Sequence, residues 1–169
     1  MQHDINSRSQ IYFIARGWQR CECCRNMTSV VGLLVPAGHE TLETDARTES
    51  DRSAAEVWER ADHEAILFDV EYLPRAIQNR LRQVAPHYRV SGANAAGRSN
   101  WVNHCSCCGA QQADFDLFCE PEGAFVPISP AAAAQIRLIT VHEPFEAHAS
   151  GYGHAPEFLE YAQQDARVD

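Results

Sequence analysis

The sequence predicts an α+β chain, and three observations carry that reading. Short runs rich in β-branched and aromatic residues flank two cysteine turns, Cys21-Glu22-Cys23-Cys24 and Cys105-Ser106-Cys107-Cys108. Between the turns, a strand-like run is followed by residues at helical spacing. After Pro156 a second amphipathic segment, with Phe158, Leu159 and Ala162, reads as a C-terminal helix to about Ala166.

Taken in order, residues 10–16 (Gln-Ile-Tyr-Phe-Ile-Ala-Arg) read as a short strand that runs into Gly17 and the first cysteine turn. Thr28 to Val35 returns as a strand and ends at Pro36. Residues 36–64 are acidic and poor in large apolar side chains before Val57 and Trp58, which predicts a flexible acidic loop with at most a helical turn at 53–60. Ala65 to Leu73 is a strand with Ile66, Phe68, Val70 and Tyr72 on one face. Pro74 suits a helix start, Ile77, Leu81 and Val84 share a helical face, and Pro86 ends it. Residues 87–98 are extended and then loop-like, and Asn100 to His104 leads into the second turn. The alternation in Asp114-Phe-Asp-Leu-Phe-Cys predicts a half-buried strand. Ser129-Pro130 opens a short helix over Ala131 to Gln135, and Ile136 to Val141 reads as a strand. The expected organisation is a single domain over 1–169, with the segment at about 36–99 inserted between the cysteine turns.

The cysteines carry the clearest chemistry. Seven are present, an odd number, six of them in the two clusters, and the Met-Gln-His-Asp start lacks a secretory layout; metal binding fits better than disulfides. A structural zinc ion takes four tetrahedral ligands, and each Cys-x-x-Cys turn offers two sulfurs. Cys21, Cys24, Cys105 and Cys108 are therefore the predicted ligands of one zinc, with Cys23, Cys107 and His104 as alternates. Gly109 follows the second pair, where a left-handed residue helps the turn; Arg25 holds the matching place in the first. The two motifs, each preceded by Trp18 or Trp101, form a weak internal repeat. With these pairs and their flanking runs, the chain resembles four-cysteine zinc-ribbon proteins. The stretch Trp101-Val-Asn-His-Cys-Ser-Cys-Cys-Gly followed by Asp114-Phe-Asp-Leu-Phe is similar to an uncharacterised bacterial family with paired knuckles. The resemblance implies zinc and a ribbon on short antiparallel strands, and no activity.

No catalytic constellation stands out. His142, Glu143, Glu146, His148 and His154 are close in sequence, but Pro144 and Gly151 break any helix that would align them as a second metal site. Dithiol redox chemistry is the rival use of Cys-x-x-Cys, and two matched pairs favour closed metal coordination over it. The net charge is −9 and the pI near 5.3, which disfavours general nucleic-acid binding. Residues 74–98 carry five arginines and no acid, a local basic stretch that keeps nucleic acid as a disfavoured alternative. The function expected is a cytoplasmic, zinc-binding, non-enzymatic chain that works through a protein partner. A nucleic-acid-associated module and an acidic DNA mimic that inhibits a nuclease or defence system are the alternatives. No apolar run reaches the roughly 18 residues of a membrane helix.

Overall fold

A computed structural model describes residues 5–43, 57–93, 95, 97–154 and 156–165. The strands in chain order are β1 (Ser7–Ser9), β2 (Tyr12–Arg20), β3 (Met27–Val35), β4 (Glu40–Glu43), β5 (Val57–Arg60), β6 (Ala65–Tyr72), β7 (Tyr88–Val90), β8 (Trp101–His104), β9 (Gln111–Gln112), β10 (Arg137–Val141), β11 (Phe145–His154) and β12 (Gln163–Gln164). The α-helices are α1 (Arg75–Val84), α2 (Asp114–Phe118) and α3 (Pro130–Ala133), and Glu157–Glu160 is one 3-10 turn. The chain is therefore mostly β, and the α+β zinc ribbon closed by a C-terminal helix is not what forms. Nine strands make one mixed sheet in the order β12-β10-β2-β3-β6-β11-β1-β4-β5, and β7-β8-β9 make a second. Only the β10–β12 pair is parallel among the registered pairs.

Both faces of the large sheet are covered. On one, Tyr12, Ile14, Leu33 and Leu67 pack against Ile77 and Leu81 of α1 and Tyr88 and Trp101 of the small sheet. On the other, Ala15, Val30, Leu34 and Ile66 pack against Leu117, Phe125, Ala133 and Phe158. This two-sided cover explains why Thr28-Ser-Val-Val-Gly-Leu-Leu-Val is apolar without alternation: a strand buried on both faces has no solvent face to mark. Burial of these side chains, at about 25 cal/mol per Å² of apolar area, is the main source of stability outside the cysteine turns.

Several sequence readings are overturned, each for a local reason. Asp114–Phe118 is helical because adjacent Leu117 and Phe118 both turn to the core, which strand alternation would not allow, while Phe115 is 62% exposed. Asp114 and Asp116 also suit a helix's first turn, where peptide N–H groups point outward. The C-terminal segment makes one 3-10 turn around buried Phe158 and then becomes β12, because the open edge of β10 recruits it: Gln163 N–H donates to Ile136 O at 2.9 Å and Asp165 N–H to Leu138 O at 2.8 Å. Part of the predicted acidic loop is strand, β4 and β5, paired from Glu40↔Arg60 to Glu43↔Val57, so the second half of the predicted helical turn at 53–60 is strand; residues 44–56, including its first half, lie outside the described residues.

The face assigned to β6 changes midway. Asp69 has φ 47°, a left-handed conformation that breaks the alternation, so Val70 joins Leu67 under α1 while Ile66 faces the other way. The Asp69 N–H donates to Asp114 Oδ2 at 2.9 Å, which holds the kink. Burial pushes the Asp114 carboxyl up to about 6. β11 carries Gly151 and Gly153 in its interior, residues that weaken a strand when left bare. Those glycines are packed: a Cβ at Gly153 would come within 2.8 Å of the Phe68 ring, so the aromatic covers the bare backbone and the strand forms.

Candidate metal centre

Two hairpins meet at their tips. β2 and β3 pair from Phe13↔Leu34 to Arg20↔Met27, and the first cysteine turn is their loop. β8 and β9 pair through Asn103↔Gln112 and His104↔Gln111 around the second. The turns have the same internal bonds. In the first, Cys21 N–H donates to Asn26 O and Arg25 N–H to Cys21 O; in the second, Cys105 N–H donates to Ala110 O and Gly109 N–H to Cys105 O, all between 2.8 and 2.9 Å. Arg25 has φ 65° and Gly109 φ 76°, so the two positions share one left-handed conformation despite the different residue.

That match yields opposite expectations at equivalent positions. A left-handed non-glycine residue costs roughly 1–2 kcal/mol, partly offset by the greater unfolded-state freedom of glycine. Arg25→Gly is expected to stabilise by about 0.5 kcal/mol and Gly109→Ala to destabilise by about 1 kcal/mol, as read by urea unfolding. Arg20 Nη1 donates to the Arg25 carbonyl at 3.0 Å, a backbone contact that survives the substitution.

The turns bring four sulfurs together. Cys21 Sγ lies 3.7 Å from Cys108 Sγ, Cys24 Sγ lies 3.7 Å from Cys105 Sγ, and all four are within 4.8 Å of one another. These separations are far beyond the roughly 2.05 Å of a disulfide. A tetrahedron with about 2.3 Å arms has edges of about 3.8 Å, so the cluster has the dimensions of a metal shell. It can hold a metal ion. Among the described residues it is also the one group of three or more His, Cys, Asp or Glu whose ligand atoms converge.

Hydrogen-bond donors surround the sulfurs. The Cys24 and Cys23 backbone N–H groups and the Gln112 side chain lower the Cys21 thiol against the effect of burial. The Cys108 and Cys107 backbone N–H groups bring Cys105 down to about 6. At Cys108 the Ala110 N–H pulls downward but is outweighed by burial and the neighbouring sulfurs, which push it up to about 12. Cys24 is raised in the same way, against the Asn26 N–H. Thiols this close cannot all carry a negative charge without a neighbouring cation, a conflict that a bound metal ion removes.

The hairpins are also tied together by side-chain hydrogen bonds. Asn103, 1% exposed, accepts from Val31 N–H through Oδ1 and donates to Val31 O through Nδ2, both at 2.8 Å. It thereby imitates a strand beside β3. The Ser106 N–H donates to Thr28 Oγ1 at 3.0 Å, and Gln112 Nε2 donates to Cys21 Sγ at 3.5 Å. Sequence reasoning missed Thr28, Asn103 and Gln112; the available signal was polar residues set in or beside the apolar runs next to each cysteine turn.

The alternates lie elsewhere. Cys23 and Cys107 are exposed and outside the cluster, and Cys119 is exposed on the C-terminal end of α2. His104 turns Nδ1 to the Val102 carbonyl at 3.0 Å, and burial lowers its pKa. Of the second suggested site, Glu143 pairs with Arg80, Glu146 and His142 are exposed, and His148 lies on β11; the His154 side chain is outside the described residues. No helix among the described residues is long and apolar enough to cross a membrane. No family model, curated protein or solved structure matches the chain, so the likeness to a bacterial knuckle family rests on its own motif residues alone.

Proposed function

We propose that Cys21, Cys24, Cys105 and Cys108 hold one structural zinc ion, and that the zinc clamps the two hairpins so that the chain presents a fixed surface to a protein partner without catalysing a reaction. The single observation that carries the reading is the four-sulfur cluster, whose 3.7 Å contacts fit the edges of a zinc–thiolate tetrahedron. All-thiolate ligation and the absence of sulfur-sulfur bonding favour zinc over a disulfide framework. Four protein ligands fill a tetrahedral shell, which leaves no open position for water or substrate and supports a structural over a catalytic ion.

The test is affinity capture with the full chain in zinc-loaded and metal-stripped forms. A reproducible protein partner retained by the loaded form and released on stripping is the expected result. If folded, zinc-loaded protein retains no partner in repeated captures, the interaction reading is wrong, whatever the metal.

A further inference from the structure

The two outer edges of the β2–β3 hairpin are treated differently. β6 pairs with β3 only at Leu34 and Val35, the end far from the cysteine turn, and the edge of β3 that β6 leaves open is closed at the Val31 backbone by Asn103, while Ser106 bonds the Thr28 hydroxyl nearby. On the other side, β10 pairs with β2 only from Tyr12 to Arg16. From Gly17 to Arg20 this edge of β2, the one away from β3, has no strand beside it among the described residues.

That open edge has apolar walls. Trp18, 57% exposed, and Met27, 48% exposed, stand on one side, and Ile128, 69% exposed, stands with Ala132 and Ile136 on the other. Together they bound a groove of about 460 Å³. Three of the large exposed hydrophobic side chains thus gather where a strand edge is unpaired, the combination that proteins otherwise avoid by covering or charging the edge. Charge at the rim is mixed: Arg20 and Arg25 are exposed at the cysteine-turn end with one exposed acid, Glu22, between them, and Glu122 lines the groove itself.

We propose that this groove binds an extended peptide segment of a partner protein, added as a strand to β2 at Gly17–Arg20. The peptide places apolar side chains against Trp18 and Ile128 and an acidic residue at the Arg20 and Arg25 end, where it complements the two guanidinium groups. In strand addition the backbone supplies affinity and alternate side-chain pockets supply selectivity. β2 is suited to it because the cysteine turn at the end of this segment is held to the second hairpin, so the edge is ordered before the peptide arrives. The proposal rests on the protein-interaction reading and names its surface.

The test pans random linear dodecapeptides displayed on phage against the full zinc-loaded chain and measures the enriched sequences as synthetic peptides by fluorescence polarisation. Alternating apolar peptides with an acid at one end should be enriched. Binding should fall about tenfold or more with Ile128→Asp or Trp18→Asp, about fivefold with Arg20→Glu, and be lost when alternate peptide amides are N-methylated. Val90→Asp, at an exposed apolar side chain of the small sheet, should leave it unchanged. Ile128 is an exposed loop residue, so its substitution reads binding and not folding. The proposal is overturned if no extended peptide is enriched, if enriched peptides ignore Ile128→Asp, or if the groove substitutions instead abolish self-association, which would make the occupant a second copy. A captured protein partner that binds the groove variants unchanged would sink the groove while leaving the interaction reading standing.

Discussion

Chelation of the metal at neutral pH is expected to lower the thermal unfolding midpoint by about 10 °C and to loosen both cysteine turns together. A metal present at 1,000 times its Kd stabilises the folded chain by about 4 kcal/mol, which for a chain of this length corresponds to roughly 8–16 °C. The coupling is the sharper part. Cys24 and Cys105 are 81 positions apart, yet their sulfurs share one cluster, so the Arg25 and Gly109 amides should gain hydrogen exchange by the same factor. The β6 and β11 amides, held by their own register and by the two-sided core, should keep their protection. Accelerated exchange at only one turn would mean that the turns are not joined through a common ion.

Asn103→Ala is expected to cost about 3 kcal/mol and to weaken metal binding although Asn103 offers no ligand. The substitution strips partners from both Val31 N–H and Val31 O, each a buried backbone group whose orphaning costs roughly 1–3 kcal/mol. It also removes the bridge from β8 to β3, so the second pair of sulfurs must be positioned with only the Ser106–Thr28 and Gln112–Cys21 hydrogen bonds between the hairpins. Asn103→Asp tests the geometry: it keeps the acceptor for Val31 N–H but sets a carboxylate oxygen against Val31 O. Both variants should shift the denaturation midpoint and lower zinc affinity in competition with a chromophoric chelator. Asn103→Ala with unchanged zinc affinity would show that the cysteine turns align without this bridge.

The parts of the fold legible in the sequence were those with a single period and a clear boundary. β2, β3 and β6 were apparent from β-branched runs ended by Gly, Pro or a charged stretch, and α1 from Ile77, Leu81 and Val84 between Pro74 and Pro86. The short pieces were not legible. Five residues such as Asp114–Phe118 fit either period, and Gln163–Gln164 is a strand only because β10 offers it an edge. β11 depends on Phe68 covering Gly151 and Gly153, a contact between distant segments that no local pattern records. The fold class failed for the same reason: the residues of β4, β5 and β12 look like loop or helix in sequence and those of β11 show no clear period, so the strand count falls short and the cysteine turns are given a ribbon of their own. They are instead the tips of hairpins, one of which lies in the middle of a nine-stranded sheet. At the candidate site, the spacing singled out the four cysteines whose sulfurs converge, while their hydrogen-bonding supports were invisible without the tertiary contacts.

Native mass spectrometry on Cys→Ser variants purified without chelator tests the central claim most directly. The unsubstituted chain and Cys23→Ser, Cys107→Ser and Cys119→Ser should each carry one zinc, and Cys21→Ser, Cys24→Ser, Cys105→Ser and Cys108→Ser should each lose stoichiometric binding. If Cys24→Ser and Cys108→Ser retain a full equivalent of zinc while Cys23→Ser and Cys107→Ser lose it, the four-sulfur cluster is not the metal centre.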